Sequence, residues 1–159
     1  MHRPFHIDIR SLPEGGKDIA GQEPPSFFGL AADDPIQPLS PLKYELHLEK
    51  DGDDLLVTGR LEILFGLECG RCLERFEHRV ELSNYATELE IAKDGTINLT
   101  DTIREDTLVA LPSYPRCEDG NVRPRQCPAE GRFEPALETA ADEPQSAGPG
   151  VWEALNKLN

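Results

Sequence analysis

Alternating apolar and polar residues predict an antiparallel sheet in the middle of the chain. Residues 44–48 have an apolar side chain at every second position, and residues 57–65 repeat the alternation after an Asp-Gly-Asp turn at 51–53. This pattern is typical of a β-hairpin with one buried face. Gly59 falls in the buried register of the second strand, where a glycine marks a bulge or a bend that lets a small sheet curl.

Two further patterns complete the predicted fold. Alternation resumes at residues 76–82, beyond the run Cys69-Gly70-Arg71-Cys72, which places that run at the tip of a second hairpin. Helical spacing of apolar residues then begins at Thr100, a good N-cap residue, and stops at Pro112. The predicted fold class is α+β: a curled, barrel-like antiparallel sheet, one main packed helix and a Cys-x-x-Cys knuckle at a hairpin tip, with a short C-terminal helix.

Composition divides the chain into three predicted parts. Residues 1–132 form a single domain, in which the Pro- and Gly-rich residues 13–41 are a long surface loop. Residues 133–150 contain acidic residues, Ala and Pro but no Lys or Arg, which predicts an acidic disordered linker. Residues 151–159 form a short amphipathic segment.

The C-terminal segment has an apolar stripe of three residues, namely Trp152, Leu155 and Leu158. A helix this short is not stable alone, so the stripe must dock on something. One interpretation is docking on its own domain. The other is a linear motif that binds a partner protein, because Trp is a frequent interface anchor.

The four cysteines are the strongest chemical signal. They occur as the pair Cys69 and Cys72 and the pair Cys117 and Cys127. A Cys-x-x-Cys turn supplies two corners of a tetrahedron around zinc, and a distant second pair completes it. The sequence therefore predicts a structural Zn²⁺ site. The alternatives are buried thiols without a metal, or a redox-active Cys-x-x-Cys, although redox motifs usually open a helix rather than follow a strand.

Charge distribution suggests a contact face near the cysteines. The net charge of the whole chain is −14, yet residues 69–79 and residues 112–132 each carry +1. If a metal brings these segments together, their arginines converge on one face. The predicted RNA or partner contacts are Arg71, Arg75, Arg79, Arg116, Arg123 and Arg125. The alternative is that they form solvated ion pairs with neighbouring glutamates.

Motifs that the sequence lacks lead to expectations about the compartment of the protein and about catalysis. The chain has no apolar run of about 18 residues, and polar residues interrupt its start, so we expect a cytoplasmic protein with no membrane segment. Cytoplasmic cysteines favour a metal over disulfides. No nucleophile triad, phosphate-binding loop or paired-carboxylate motif occurs, so we expect a noncatalytic protein without a small-molecule substrate.

The segment from the Cys-x-x-Cys turn to Cys117 resembles the YceD family of large ribosomal RNA subunit accumulation proteins. The resemblance spans roughly residues 43–128, and its most specific part is Cys69-Gly70-Arg71-Cys72-Leu73-Glu74-Arg75-Phe76. Cys69, Arg71 and Cys72 match the family turn, Leu111-Pro112 its helix stop and Cys117 the cysteine that follows. Many relatives then have a second compact cysteine turn, whereas here nine residues separate Cys117 from Cys127.

The resemblance implies a function in ribosome assembly. A family member is a bacterial or plastid-type protein needed for normal accumulation or processing of 23S rRNA. We therefore expect a noncatalytic factor in large ribosomal subunit biogenesis, with 23S rRNA or a basic large-subunit ribosomal protein as partner. The alternative functions are a thiol-redox or metal-handling protein that shares the cysteine turn, and a structural adaptor that never contacts RNA.

Overall fold

A computed structural model describes residues 3–123 and 126–129, and the described residues up to Cys127 form one compact unit. The predicted α+β class is confirmed, since these residues are mostly antiparallel sheet with one α-helix. The elements are β1 (His6–Asp8), β2 (Lys17–Glu23), β3 (Ile36–Pro38), β4 (Leu42–Asp51), β5 (Asp54–Glu68), β6 (Arg75–Glu90), β7 (Thr96–Asn98) and α1 (Thr100–Val109).

The main sheet is an open antiparallel meander. Its strand order is β2-β4-β5-β6, and short β3 pairs with the far end of β5 on the side where β4 has ended. The predicted barrel-like closure is therefore wrong, because β2 and β6 lie at opposite edges. Four full strands are too few to curl the sheet back on itself. The predicted irregularity at Gly59 is confirmed as a register shift between Gly59 and Leu61 in the β5–β6 pairing.

One face of the sheet forms the core, and the alternation predicted it. Leu46 and Leu48 on β4 and the odd-numbered positions of β5 from Leu55 to Leu67 are buried, apart from Gly59 at the bulge. Phe28 packs its ring edge-on to Phe65, with 5.3 Å between ring centroids. Residues between β2 and β3 thus cover one end of the core face, and burial of this apolar surface is the main stabilising contribution.

Residues 13–41 are not a continuous loop, which corrects the prediction. They contain β2, β3 and a 3₁₀ turn at Pro25–Phe28. Strand β2 pairs with β4 over its whole length, from Lys17 opposite Leu48 to Glu23 opposite Leu42. The strand was missed because its sequence, KDIAGQE, has a single large apolar residue. As an edge strand it is held by backbone hydrogen bonds, which leave little hydrophobic pattern.

Helix α1 begins one residue earlier than the prediction of Thr100 as N-cap implies. Thr100 is the first helical residue, and its backbone N–H donates to Asn98 Oδ1 at 3.1 Å. Two contacts hold the helix: Arg104 donates to the carbonyl of Phe27 at 2.6 and 2.9 Å, and Tyr85 Oη donates to Asp106 Oδ2 at 2.6 Å. The second contact joins α1 to strand β6.

Tyr85→Phe tests that link. We expect a loss of about 1–2 kcal/mol in unfolding free energy at neutral pH, because Asp106 loses its donor. Burial, followed by the Asp106 carboxylate, raises the pKa of Tyr85. A raised phenol pKa contributes stability that is present below about pH 10 and is lost as the pH rises through the folded-state pKa.

The wild type should therefore lose stability more steeply than Tyr85→Phe between about pH 9 and 12. Urea midpoints of both proteins across this range measure the difference. Tyr44, whose pKa burial also raises, is present in both proteins and cancels. Parallel profiles would contradict the linkage.

Several sequence predictions concern residues outside the described ranges. These are the acidic linker 133–150, the segment 151–159 with Trp152, Leu155 and Leu158, and Arg125. They stay predictions. Among the described residues, no helix is long and apolar enough to cross a membrane.

Candidate metal centre

The turn between β5 and β6 presents the first cysteine pair, as the alternation predicted. It spans residues 69–74 and is closed by two backbone bonds of 2.9 Å, from Leu73 N to the Cys69 carbonyl and from Cys69 N to the Glu74 carbonyl. Leu73 adopts φ 62°, a left-handed conformation that is costly for a residue with a Cβ. This tight turn points two thiols toward the same space.

The segment that follows α1 carries the second cysteine pair back to this tip and lies beside β6. After Pro112 the chain reaches the knuckle, where Gly70 N donates to the Pro115 carbonyl at 2.8 Å, and a 3₁₀ turn at Cys117–Asp119 follows. Asn121 then pairs with the edge of β6: its Oδ1 accepts from Arg79 N at 2.6 Å and its Nδ2 donates to the Arg79 carbonyl at 2.8 Å. The segment between Cys117 and Cys127 is thus anchored to β6 at Asn121.

Asn121→Ala tests this anchor. It removes both bonds to β6, so we expect a loss of about 1–2 kcal/mol in unfolding free energy and weaker metal binding by the freed loop. Thermal melting with and without a chelator measures both effects. Asn84→Ala, at an exposed position of the same strand, is the matched control and should melt like the wild type. Equal melting of both variants would show that the anchor contributes nothing.

All four sulfurs gather within 4.8 Å of one another. The Sγ atoms of Cys69 and Cys127 lie 3.8 Å apart, and those of Cys72 and Cys117 lie 3.5 Å apart. A zinc–sulfur bond of about 2.3 Å in tetrahedral geometry requires sulfurs about 3.8 Å apart. A disulfide would need about 2.05 Å, and all four residues are free cysteines. The cluster has the dimensions to hold a metal ion.

The cluster is buried and supplied with hydrogen-bond donors. Cys69, Cys117 and Cys127 are buried, and Cys72 is half-buried. Burial raises the pKa of the Cys69 thiol, but hydrogen bonds from the backbone N–H groups of Cys72, Arg71 and Cys117 outweigh it and lower the pKa to about 6. Donors arranged in this way favour the thiolate, which is the form that binds metals.

Arg71 differs from the other predicted contact residues. Its side chain is only 18% exposed and forms an ion pair with Glu118, in the 3₁₀ turn that carries Cys117. This arginine therefore joins the two cysteine segments instead of facing solvent. For Arg71, the structure agrees with the alternative interpretation, an ion pair with a neighbouring glutamate.

The other predicted contact arginines among the described residues lie on β6 and in the segment that follows α1. Arg79 lies 4.0 Å from Glu62, and Arg123, with a side chain 84% exposed, lies 3.9 Å from Glu77. Arg75 and Arg116 are exposed, and Arg75 donates to the Asp34 carbonyl at 3.5 Å. Several of these arginines thus have acidic neighbours, and their convergence on one contact face stays a prediction.

The sequence did not reveal the residues that brace the cluster. The bonds from Asn121 to β6 and the 2.6 Å approach of the Asp119 carbonyl to His78 Nδ1 were not predicted. Glu118 is one of the neighbouring glutamates expected to pair with the arginines, and it pairs with Arg71. The available signal was their position between two cysteines that had to return to one point. Loop residues between metal ligands need anchors, and Asn supplies both a donor and an acceptor.

The cysteine cluster carries the strongest chemical signal of the described chain. Comparisons with protein-family profiles, with curated proteins and with solved structures find no match. The functions proposed for the cluster and its arginines therefore come from the sequence and from the geometry described above.

Proposed function

We propose that Cys69, Cys72, Cys117 and Cys127 bind one Zn²⁺ as a structural centre. The observation that carries this proposal is the approach of all four sulfurs to within 4.8 Å, with two opposite edges of 3.8 and 3.5 Å. Four thiolates fill the coordination of zinc and leave no position for an activated water. The proposed centre is therefore noncatalytic and fixes the β5–β6 tip to the segment that follows α1.

Metal analysis of protein purified without chelator tests the centre. We expect one zinc per chain and four thiols that react with a thiol reagent only after chelation. Protein purified and then treated with chelator is the matched control. Four freely reactive thiols in metal-free protein, with no zinc uptake on titration, would overturn the proposal.

We further propose that the protein is a noncatalytic, cytoplasmic factor that assists 23S rRNA accumulation and large ribosomal subunit biogenesis. The support is the resemblance of the knuckle and of the helix stop before Cys117 to the YceD family. Two matched elements, the knuckle and Cys117, meet at the cysteine cluster, where Gly70 N donates to the carbonyl of Pro115, two residues before Cys117. A cytoplasmic setting keeps the thiols reduced.

Charge favours a basic large-subunit ribosomal protein as the direct partner. The chain carries −14, and an acidic surface repels the phosphate backbone of rRNA. Carboxylates lie within 4.0 Å of Arg71, Arg79 and Arg123, which reduces the positive charge of the predicted contact face. Arg75 and Arg116 remain exposed at the tip.

Two binding measurements separate the partners. Copurification of a basic ribosomal protein that survives nuclease treatment supports direct protein contact. Binding to 23S rRNA fragments that weakens steeply with salt, and is lost in an Arg75→Gln/Arg116→Gln variant, supports RNA contact instead. Absence of both interactions, together with normal 23S rRNA levels in cells lacking the protein, would contradict a function in subunit biogenesis.

A thiol-redox function is the second candidate, favoured by the lowered pKa of Cys69. A redox-active cysteine must also be accessible, and Cys69 is fully buried. Among the four cysteines only Cys72 is half-buried rather than buried. Geometry therefore supports a structural metal centre better than thiol–disulfide exchange.

A further inference from the structure

Arg71 carries a buried polar atom that the fold leaves without a partner. Its terminal Nη2 pairs with Glu118, but its Nε is shielded from solvent and has no hydrogen-bond partner among the described residues. Burying an N–H donor without an acceptor is destabilising, so buried donors in folded proteins are nearly always satisfied. Arg71 lies between Cys69 and Cys72 in the sequence, so a cysteine thiolate is the acceptor that the local chemistry suggests for this donor.

The electrostatics of the cluster point the same way. Four thiolates around one divalent ion carry a net charge of about −2, which is costly to hold in a buried site without a compensating cation. Arg71 adjoins Cys72 in the sequence, its side chain is only 18% exposed, and its ion pair with Glu118 holds it beside the 3₁₀ turn that carries Cys117. Arg71 is therefore a mostly buried cation next to both cysteine segments.

We propose that Arg71 is a positioning residue of the metal centre, whose guanidinium balances the charge of the cysteine thiolates and whose Nε–H is the donor reserved for a cysteine sulfur. This inference rests on the proposed zinc centre. It assigns to Arg71 a task that Lys performs poorly, since an ammonium group lacks the fixed fork of donors. It also separates Arg71 from Arg75 and Arg116, whose side chains are exposed.

Cobalt substitution and zinc competition test the assignment. In Arg71→Met, which keeps an apolar stem of similar shape, we expect zinc affinity to fall about 10–100-fold in competition with a chromophoric chelator. The sulfur-to-cobalt charge-transfer band should also move to lower energy, because a thiolate without its hydrogen bond is a better electron donor. Arg71→Lys should restore part of the affinity. Arg123→Met, at a mostly exposed arginine that also has an acidic neighbour, should leave both readouts unchanged.

Glu118→Gln separates the sulfur contact from the ion pair. It removes the carboxylate partner and keeps the guanidinium, so we expect the charge-transfer band to stay close to that of the wild type. If Glu118→Gln shifts the band as much as Arg71→Met does, Arg71 acts only through its ion pair, and the inference is wrong. It is also wrong if Arg71→Met binds zinc and cobalt like the wild type. A wild-type protein that takes up neither metal overturns the proposed function and this inference together.

Discussion

Cys127→Ser is expected to abolish stoichiometric zinc binding and to release the segment that follows α1 from the β5–β6 tip. Cys127 is the one cysteine outside the knuckle and the 3₁₀ turn, and its sulfur lies 3.8 Å from that of Cys69. Loss of one thiolate should weaken zinc binding by more than about 100-fold. Substitution of residues that only support the ligands typically lowers metal affinity by about 10–100-fold. Metal content after dialysis measures the loss directly.

The rest of the fold should survive this substitution. The core face of β4 and β5 buries leucines such as Leu46 and Leu61 without help from the cysteines. At the tip, by contrast, Phe76 packs beside Gly120 of the returning segment and is only 5% exposed. We therefore expect unchanged β-sheet content by circular dichroism but faster hydrogen exchange around residues 69–80 and 113–123.

Gln126→Ser is the matched control, because it makes a comparable change at the exposed neighbouring residue. It should retain one zinc per chain and wild-type exchange rates. Zinc binding should also weaken as the pH falls, since the metal competes with protons for the thiolates. Full zinc content in Cys127→Ser would mean that three cysteines suffice or that another residue completes the site.

Local patterns predicted the parts of the fold that bury one continuous face. The alternation in β4 and β5 and the position of the knuckle between β5 and β6 follow directly from period-two burial. Strand β2 escaped prediction because an edge strand needs only backbone partners, and Ile19 is its one large apolar residue. The start of α1 was misplaced by one residue, since Thr100 is already helical and Asn98, rather than Thr100, supplies the side-chain acceptor.

The candidate site was predictable in its ligands but not in its supports. The spacing of four cysteines in two pairs is enough to predict a metal site. The contacts that bring the pairs together span 42 residues for Asn121 with Arg79 and 47 residues for Arg71 with Glu118. Asn, Arg and Glu occur throughout loops and surfaces, so nothing in the sequence pairs Asn121 with Arg79 or selects Glu118 as the partner of Arg71. Only the fold shows that the second cysteine segment follows the edge of β6.

Gly59→Ala is expected to be the most destabilising single substitution in the body of the sheet. Gly59 has φ 147° at the bulge, a conformation nearly restricted to glycine, and a Cβ there would clash with the Glu45 carbonyl oxygen and lie 2.9 Å from the Leu46 Cα. Backbone strain of about 1–3 kcal/mol adds to overpacking of about 1–3 kcal/mol. Both atoms belong to the backbone of the neighbouring strand, so no side-chain movement relieves the clash.

The urea midpoint of Gly59→Ala should therefore fall by an amount equivalent to about 4 kcal/mol at an unchanged m-value. Gly52→Ala isolates the conformational part, because Gly52 has φ 61° with no atom within 4 Å of an added Cβ. It should cost only about 1–2 kcal/mol. Equal costs for both variants would show that β4 yields at the bulge. Gly59 lies ten residues before Cys69, roughly 30 Å along β5. Folded Gly59→Ala should consequently bind zinc like the wild type, which distinguishes damage to the sheet from damage to the metal centre.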